Sequence, residues 1–190
     1  MFSDNKNFYP TPDKIVGKMI SRIKGHPRLI LEPSAGKGNI TDALKKRYES
    51  RHCCGPEIMA IEIEPELQAC LRGKGVRLLD SDFLAYTGPD KFDLVISNPP
   101  FDNGHKHLLK MIDILYRGQI ICLLNAETIR NPYTNERKLL VQRLDELGAY
   151  IEFIPNAFHD AERQTDVEVA LIDIFIDRKV EDDLFAGVKD

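Results

Sequence analysis

The chain has 190 residues, 43% of them hydrophobic and 29% charged, with a formal net charge of −4. That length suits one domain with one sizeable core, and that balance excludes a disordered chain. No apolar run reaches the ~18 residues needed to span a membrane, and residues 1–7 lack the apolar stretch of a signal peptide, so a cytoplasmic chain is expected. The acidic balance supplies no global basic face. A nucleic-acid partner would have to meet a local basic rim, or be held with the help of a specificity partner chain.

In chain order, Thr11-Pro12 opens a first helix, with Thr as cap and Pro at the first helical position. Ile15, Val16, Met19, Ile20 and Ile23 give that helix one apolar stripe. A strand follows over Arg28 to Glu32, then a small-residue loop over Pro33 to Gly38 and a helix carrying Ile40, Ala43 and Leu44. Glu57 to Ile63 reads as the second strand, and Pro65 opens a helix with Leu67, Cys70 and Leu71. Val76 to Leu79 is a short third strand. Phe92 to Ser97 is a fourth, ending in Asn98-Pro99-Pro100-Phe101, and a helix with Leu108, Leu109, Ile112 and Leu115 comes next. Gln119 to Leu124 is a fully buried fifth strand. Leu140, Leu144 and Leu147 mark a helix stopped by Gly148. Tyr150 to Ile154 and Val167 to Ile176 form a final antiparallel pair at the sheet edge.

This alternation predicts an α/β fold: a Rossmann-like, seven-stranded, mostly parallel sheet with an antiparallel last strand in a C-terminal β-hairpin and helices on both faces. The expected organisation is a single domain over 1–190, with an N-terminal arm over 1–7, a tail over 177–190 and no separate target-recognition domain. Such sheets bind ligands beyond the carboxyl ends of their strands. The loops after strands one to four are therefore the places for chemistry.

After strand one, Glu32-Pro33-Ser34-Ala35-Gly36-Lys37-Gly38 joins strand to helix. Glycines there let the backbone approach a ligand. A carboxylate at Glu32 repels a pyrophosphate and suits a ligand with an ammonium group and a sulfonium centre. At the end of strand two, Glu62 or Glu64 can accept both hydroxyls of a ribose. After strand three, Asp82 can bond an exocyclic amine while Phe83 packs a purine face. After strand four, the Asn98 side-chain oxygen and a carbonyl of the rigid diproline turn can accept both N–H groups of a planar amine. That pull moves the nitrogen toward tetrahedral geometry and frees its lone pair. Phe101 offers a face for the substrate plane. Methyl transfer to such a nitrogen needs alignment and electrostatics, and no metal. His52-Cys53-Cys54 lacks the spacing of a zinc site, and the four cysteines are expected as reduced thiols.

From Asn7 to Ile176 the chain resembles the class I S-adenosylmethionine-dependent methyltransferases of the amino-methylating group, which include DNA adenine-N6 and protein glutamine-N5 enzymes. Phe8-Tyr9-Pro10-Thr11-Pro12 resembles the N-terminal cofactor motif of the adenine enzymes, and motif order resembles their gamma type. The resemblance implies S-adenosyl-L-methionine as cofactor, with Thr11 against its methionine part. It implies Ser34, Gly36, Gly38 and Glu32 in the glycine loop, and Glu62 on the ribose. It further implies Asp82 and Phe83 on the adenine, and Asn98, Pro99, Pro100 and Phe101 in the catalytic motif. In related adenine enzymes the last hairpin carries an aromatic that stacks on the flipped base, which makes Phe158 the candidate here. Lys106, Lys110, Arg130, Arg137 and Lys138 are candidates for phosphate contacts, of which Lys106 and Arg130 are taken as substrate-binding. His105 and His107 flank the catalytic loop without a visible partner carboxylate.

The expected activity is N-methylation of adenine N6 in DNA, or RNA. Protein glutamine-N5 methylation is the second enzyme reading, although those enzymes usually show Tyr where this chain has Phe101. A cofactor-binding subunit that needs a partner chain for its substrate is the third.

Overall fold

The computed structural model describes residues 10–49, 55–88, 91–159 and 167–178. The elements run α1 (Asp13–Ser21), β1 (Leu29–Glu32), α2 (Asn39–Tyr48), β2 (Glu57–Ile61), α3 (Pro65–Gly73), β3 (Arg77–Asp80) and β4 (Leu94–Ser97). They continue as α4 (Gly104–Ile114), β5 (Arg117–Asn125), α5 (Glu127–Arg130), α6 (Asn135–Glu146), β6 (Tyr150–Ile154) and β7 (Val169–Asp177). The seven strands form one sheet in the order β3-β2-β1-β4-β5-β7-β6. β1 pairs in parallel with both β2 and β4, so the chain reverses direction across the sheet at β1 and opens a crevice at the strand tips there. β7 lies antiparallel between β5 and β6. This is the expected Rossmann-like sheet, with one refinement: β7 is an interior strand and β6 alone forms the edge.

Strand alternation sends side chains to two separate cores. On one face Ile30, Leu94, Ile96, Ile121 and Leu123 pack against α1 and α2 through Ile15, Met19, Ile40 and Leu44. On the other, Leu31, Val95, Ile120 and Cys122 pack against α4 and α6 through Leu108, Met111, Leu140 and Leu144. Leu71 seats α3 among Ala35, Ala60 and Val76.

Several boundaries differ from expectation, for local reasons. β2 stops at Ile61, two residues early. The Glu62 carboxylate accepts the backbone N–H of Gly36 at 2.7 Å and that of Glu64 at 2.9 Å, which turns the chain out of the ladder. α1 starts at Asp13 with Pro12 as its cap residue, whose ring has no acceptor for a side-chain cap bond, and the Thr11 hydroxyl accepts from Asn98 instead. The short α5 was not expected; Asn125 Oδ1 accepts from Glu127 N at 2.9 Å at its start. Gly148 does follow α6, at φ 62°, where a side chain would be strained. No helix among the described residues is long and apolar enough to cross a membrane. Phe8, Tyr9, His52, Cys53, Cys54 and the tail from residue 179 lie outside the described residues.

Candidate active site

A cleft of about 340 Å³ opens at the β1 switch point, a size within the range of small-molecule sites. Four strand-end loops and the segment before α1 line it: Thr11, Glu32 to Lys37, Glu62 to Glu64, Ser81 to Leu84, and Asn98 to Phe101. These residues are scattered over ninety positions of sequence and meet because parallel strands end at one level.

Glu32 is the most unusual group in the cleft. It is 1% exposed, with the Glu62 and Asp42 carboxylates acting against its charge and Lys74, the weakest influence, in its favour. Burial pushes its carboxyl well above the ordinary carboxylate range; the Thr41 backbone N–H pulls the other way, and the nearby Glu62 carboxylate adds to the rise. Its Oε2 is buried with no hydrogen-bond partner among the described residues. A buried acceptor left in this state costs free energy unless a donor arrives. A cationic ligand supplies both the donor and the charge.

Glu62 is 7% exposed and differs from Glu32 in being fully engaged, since its two oxygens clamp the glycine loop to the start of α3. Each oxygen retains capacity for a second donor. Glu64 also lines the cleft and is the cap residue of α3. Gly36 faces the cleft at φ 56°, whereas Gly38 does not line it. Gly38 instead holds φ 87°, donates to Ala35 O at 2.8 Å, and leaves room for Thr41; a Cβ there would stand 2.8 Å from Thr41 Oγ1. Its place is behind the loop.

Opposite the acids lies an apolar wall. Phe83 is 3% exposed, with its ring centroid 5.8 Å from that of His107, and Asp82 Oδ1 accepts from Leu84 N at 2.8 Å. Ile63 projects into the cleft and is 63% exposed. Ile63 was not singled out from sequence as a site residue, and His107 was named only as flanking the catalytic loop. An exposed isoleucine directly after a strand-end acid was the available signal. His107 is buried, which lowers its pKa; its Nδ1 lies 3.1 Å from Asn103 O.

At the cleft mouth, Asn98 Nδ2 donates to Thr11 Oγ1 at 3.0 Å. Asn39 Nδ2 donates to Thr11 O at 3.1 Å, so Thr11 ties the catalytic loop to the start of α2. This bond orients the Asn98 amide and directs its Oδ1 to the opposite side. Pro99 is buried and Pro100 half-buried beside it. Phe101 lines the cleft, and Phe158 packs edge-on against it, centroids 5.6 Å apart at 89°.

The structure therefore brings together Thr11, Glu32, Ser34, Gly36, Glu62, Asp82, Phe83, Asn98, Pro99, Pro100 and Phe101. It does not bring Phe158, Lys106 or Arg130 to the cleft. Phe158 is 0% exposed and belongs to the α1-side core, where it buttresses Phe101. Arg130 pairs with Glu168 at 2.8 Å and covers the Phe153 ring. Lys106 lies 3.9 Å from Glu136. Lys110 donates to Leu84 O at 2.7 Å, pinning the loop after β3. His105 does have a carboxylate partner, contrary to expectation: its Nε2 is 3.2 Å from Glu136 Oε2, and both histidines lie on α4.

The donor set fits S-adenosylmethionine. A buried carboxylate wanting a cation, a second carboxylate with acceptor capacity, and an apolar wall match an amino-acid sulfonium, a ribose and a purine in turn. No group of three or more metal-ligating side chains occurs among the described residues.

Residues 14–119, more than half of the chain, match the family described as Methyltransferase small domain. The chain is 33% identical over 85 residues to the type II methyltransferase M.CvrRI of Paramecium bursaria Chlorella virus XZ-6E, covering 43% of this chain and 21% of that protein. Among solved structures, it resembles the type I restriction-modification system methyltransferase subunit from Streptococcus thermophilus, with TM-score 0.68 and 18% identity over 90% of this chain and 45% of that one. It also resembles TYW2 of M. jannaschii in complex with AdoMet, with TM-score 0.57 and 17% identity over 94% and 79% of the two chains. The chain thus spans about a fifth of the curated relative it matches and under half of the restriction-system subunit.

Proposed function

The chain belongs to the Methyltransferase small domain family, whose cofactor is S-adenosylmethionine, and from that premise we propose that it methylates the N6 amino group of adenine in DNA. One observation carries the choice of acceptor: Asn98-Pro99-Pro100-Phe101 stands at the mouth of the acid-lined cleft with the Asn98 amide anchored by Thr11. The similarity to a type II methyltransferase over 85 residues supports a DNA substrate.

The bound cofactor supplies an electrophilic methyl group on a positively charged sulfur. Glu32 binds the cation, and Glu62 accepts from the ribose hydroxyls while it keeps the glycine loop closed. Ile63 and Phe83 offer apolar surface to the purine. On the acceptor side, Asn98 Oδ1 and a carbonyl of the diproline turn accept the two N–H groups of the exocyclic amine. This draws the nitrogen lone pair out of conjugation. Phe101, braced by Phe158, supports the plane of the base. When bound, the cofactor would supply the methyl group that the nitrogen takes in exchange for one N–H proton, the proton passing to water and the demethylated thioether leaving. Asn98 provides geometry and partial charge and takes no proton itself.

The test is incubation with methyl-labelled S-adenosylmethionine and, separately, DNA, RNA and protein, followed by identification of the labelled product. N6-methyladenine in DNA is the expected product. Label on protein glutamine would replace this reading with amide methylation.

A further inference from the structure

A second group of side chains, at the start of α6, is joined to the start of α4 through His105 and Glu136 and is used by nothing described above. Tyr133 lies in the turn between α5 and α6 and is 70% exposed, the highest value among the large exposed hydrophobic side chains of the described residues. The Arg137 guanidinium lies over its ring, 4.6 Å from the centroid. Thr134 caps α6 by accepting from Arg137 N at 3.2 Å, so the turn that carries Tyr133 is fixed to the helix that carries Arg137. The position of this pair relative to the catalytic loop is also fixed. α4 begins three residues after Phe101, and His105 in its first turn bonds Glu136, the neighbour of Arg137.

Two features separate this pair from Arg130 and Lys106. Arg130 and Lys106 face carboxylates, whereas no ion pair of Arg137 occurs among the described residues. Arg137 Nε is also buried without a hydrogen-bond partner among them. The ring is thus held on one side by a guanidinium and open to solvent on the other. A flat aromatic face backed by positive charge is the arrangement on which nucleic-acid bases stack while the adjoining phosphate is attracted.

We propose that Tyr133 and Arg137 form a stacking platform for a nucleotide flanking the adenine presented to Asn98. This rests on the reading of the site as an adenine methyltransferase and adds the surface that holds the strand. The chain's acidic net charge gives it no general affinity for nucleic acid. A local stacking contact answers that deficit with little dependence on sequence.

The experiment is a fluorescence-anisotropy titration of the full chain, loaded with S-adenosylhomocysteine, against labelled adenine-containing DNA as single strand and as duplex. Tyr133→Ala is expected to weaken binding at least about fivefold, the lower end of what one base–aromatic stack contributes. Tyr133→Trp is expected to stay within about twofold of wild type, since it keeps a flat ring. Arg137→Gln is expected to reduce the slope of log affinity against log salt by about 0.7 to 0.9. Because Tyr133 is solvent-exposed, its variants are expected to bind cofactor as wild type does. If wild type binds and methylates the oligonucleotides and Tyr133→Ala binds them equally well, the platform is refuted while the adenine reading stands. If wild type neither binds nor methylates any oligonucleotide, the adenine reading fails, and the platform falls with it.

Discussion

In the proposed function Glu32 and Asn98 divide the work of the cleft, and their environments differ. Glu32 is held above the ordinary carboxylate value of 4.5 by burial, so the folded protein keeps its proton where the unfolded chain has released it. Stability from this group is full below that ordinary value and is lost as pH rises through the folded pKa. Glu32→Gln is neutral at every pH. Its melting temperature, followed against pH beside that of wild type, is expected to gain on wild type as pH rises. A cationic cofactor draws the proton off Glu32, so wild-type affinity is expected to rise with pH. The Gln variant is expected to bind at least about tenfold more weakly with that pH dependence gone; calorimetric titration at several pH values measures both.

In the proposed reaction Asn98 acts on the acceptor. Asn98→Ala is expected to lower kcat by about 10²- to 10³-fold, the usual cost of one transition-state donor or acceptor, with cofactor affinity nearly unchanged. Thr11→Val removes the 3.0 Å anchor and preserves shape. A lost hydrogen bond of this kind is worth about threefold to tenfold, and the loss is expected in kcat, with cofactor dissociation constant little altered. A variant whose cofactor affinity collapses while kcat holds would instead assign Thr11 to the methionine part of the cofactor.

At the scale of elements, the sheet was legible because each strand is a short apolar run bounded by a helix with period 3.6. β1 read to within one residue for that reason, while β4 begins two residues later than expected and β5 runs two residues earlier and one later. β2 read two residues too long, because Ile63 continues the apolar alternation while the Glu62 side chain, bonded to Gly36 across the sheet tip, ends the ladder. Local pattern does not contain a bond between positions twenty-six apart. Thr11 misled in the same way: Thr before Pro has the form of a helix cap, and only the folded chain spends its hydroxyl on Asn98. The cleft residues themselves were legible from their position after strands one to four. Phe158 was legible as an aromatic near the acceptor, yet burial makes it a brace for Phe101 and leaves it no face for a base. At this scale Gly38→Ala is the sharp variant. A left-handed φ and a Cβ 2.8 Å from Thr41 are expected to cost about 1–3 kcal/mol of stability, read by urea denaturation.

For the whole molecule, the relation between fold and chemistry is set by the switch at β1. Chain direction diverges there, so no helix covers the tips of β1 and β4, and the acids of one loop set face the Asn98 loop of another. His107 on α4 and Glu32 at the end of β1 respond to pH with opposite sign. Burial lowers the His107 pKa, so its contribution to stability is present above its ordinary value of 6.5 and is lost as pH falls toward the folded value. Both groups belong to the cleft, so the bound cofactor is expected to change the pH–stability profile as well as raise it, which thermal melts with and without cofactor would record.

The most direct measurement is a crystal structure of the chain with S-adenosylmethionine bound. The cofactor is expected along the tips of β1 and β2, its ammonium end toward Glu32, its ribose on Glu62 and its methyl group facing Asn98. A cofactor bound elsewhere, or one whose methyl group points away from Asn98 with Glu32 left without a cation, would contradict the account.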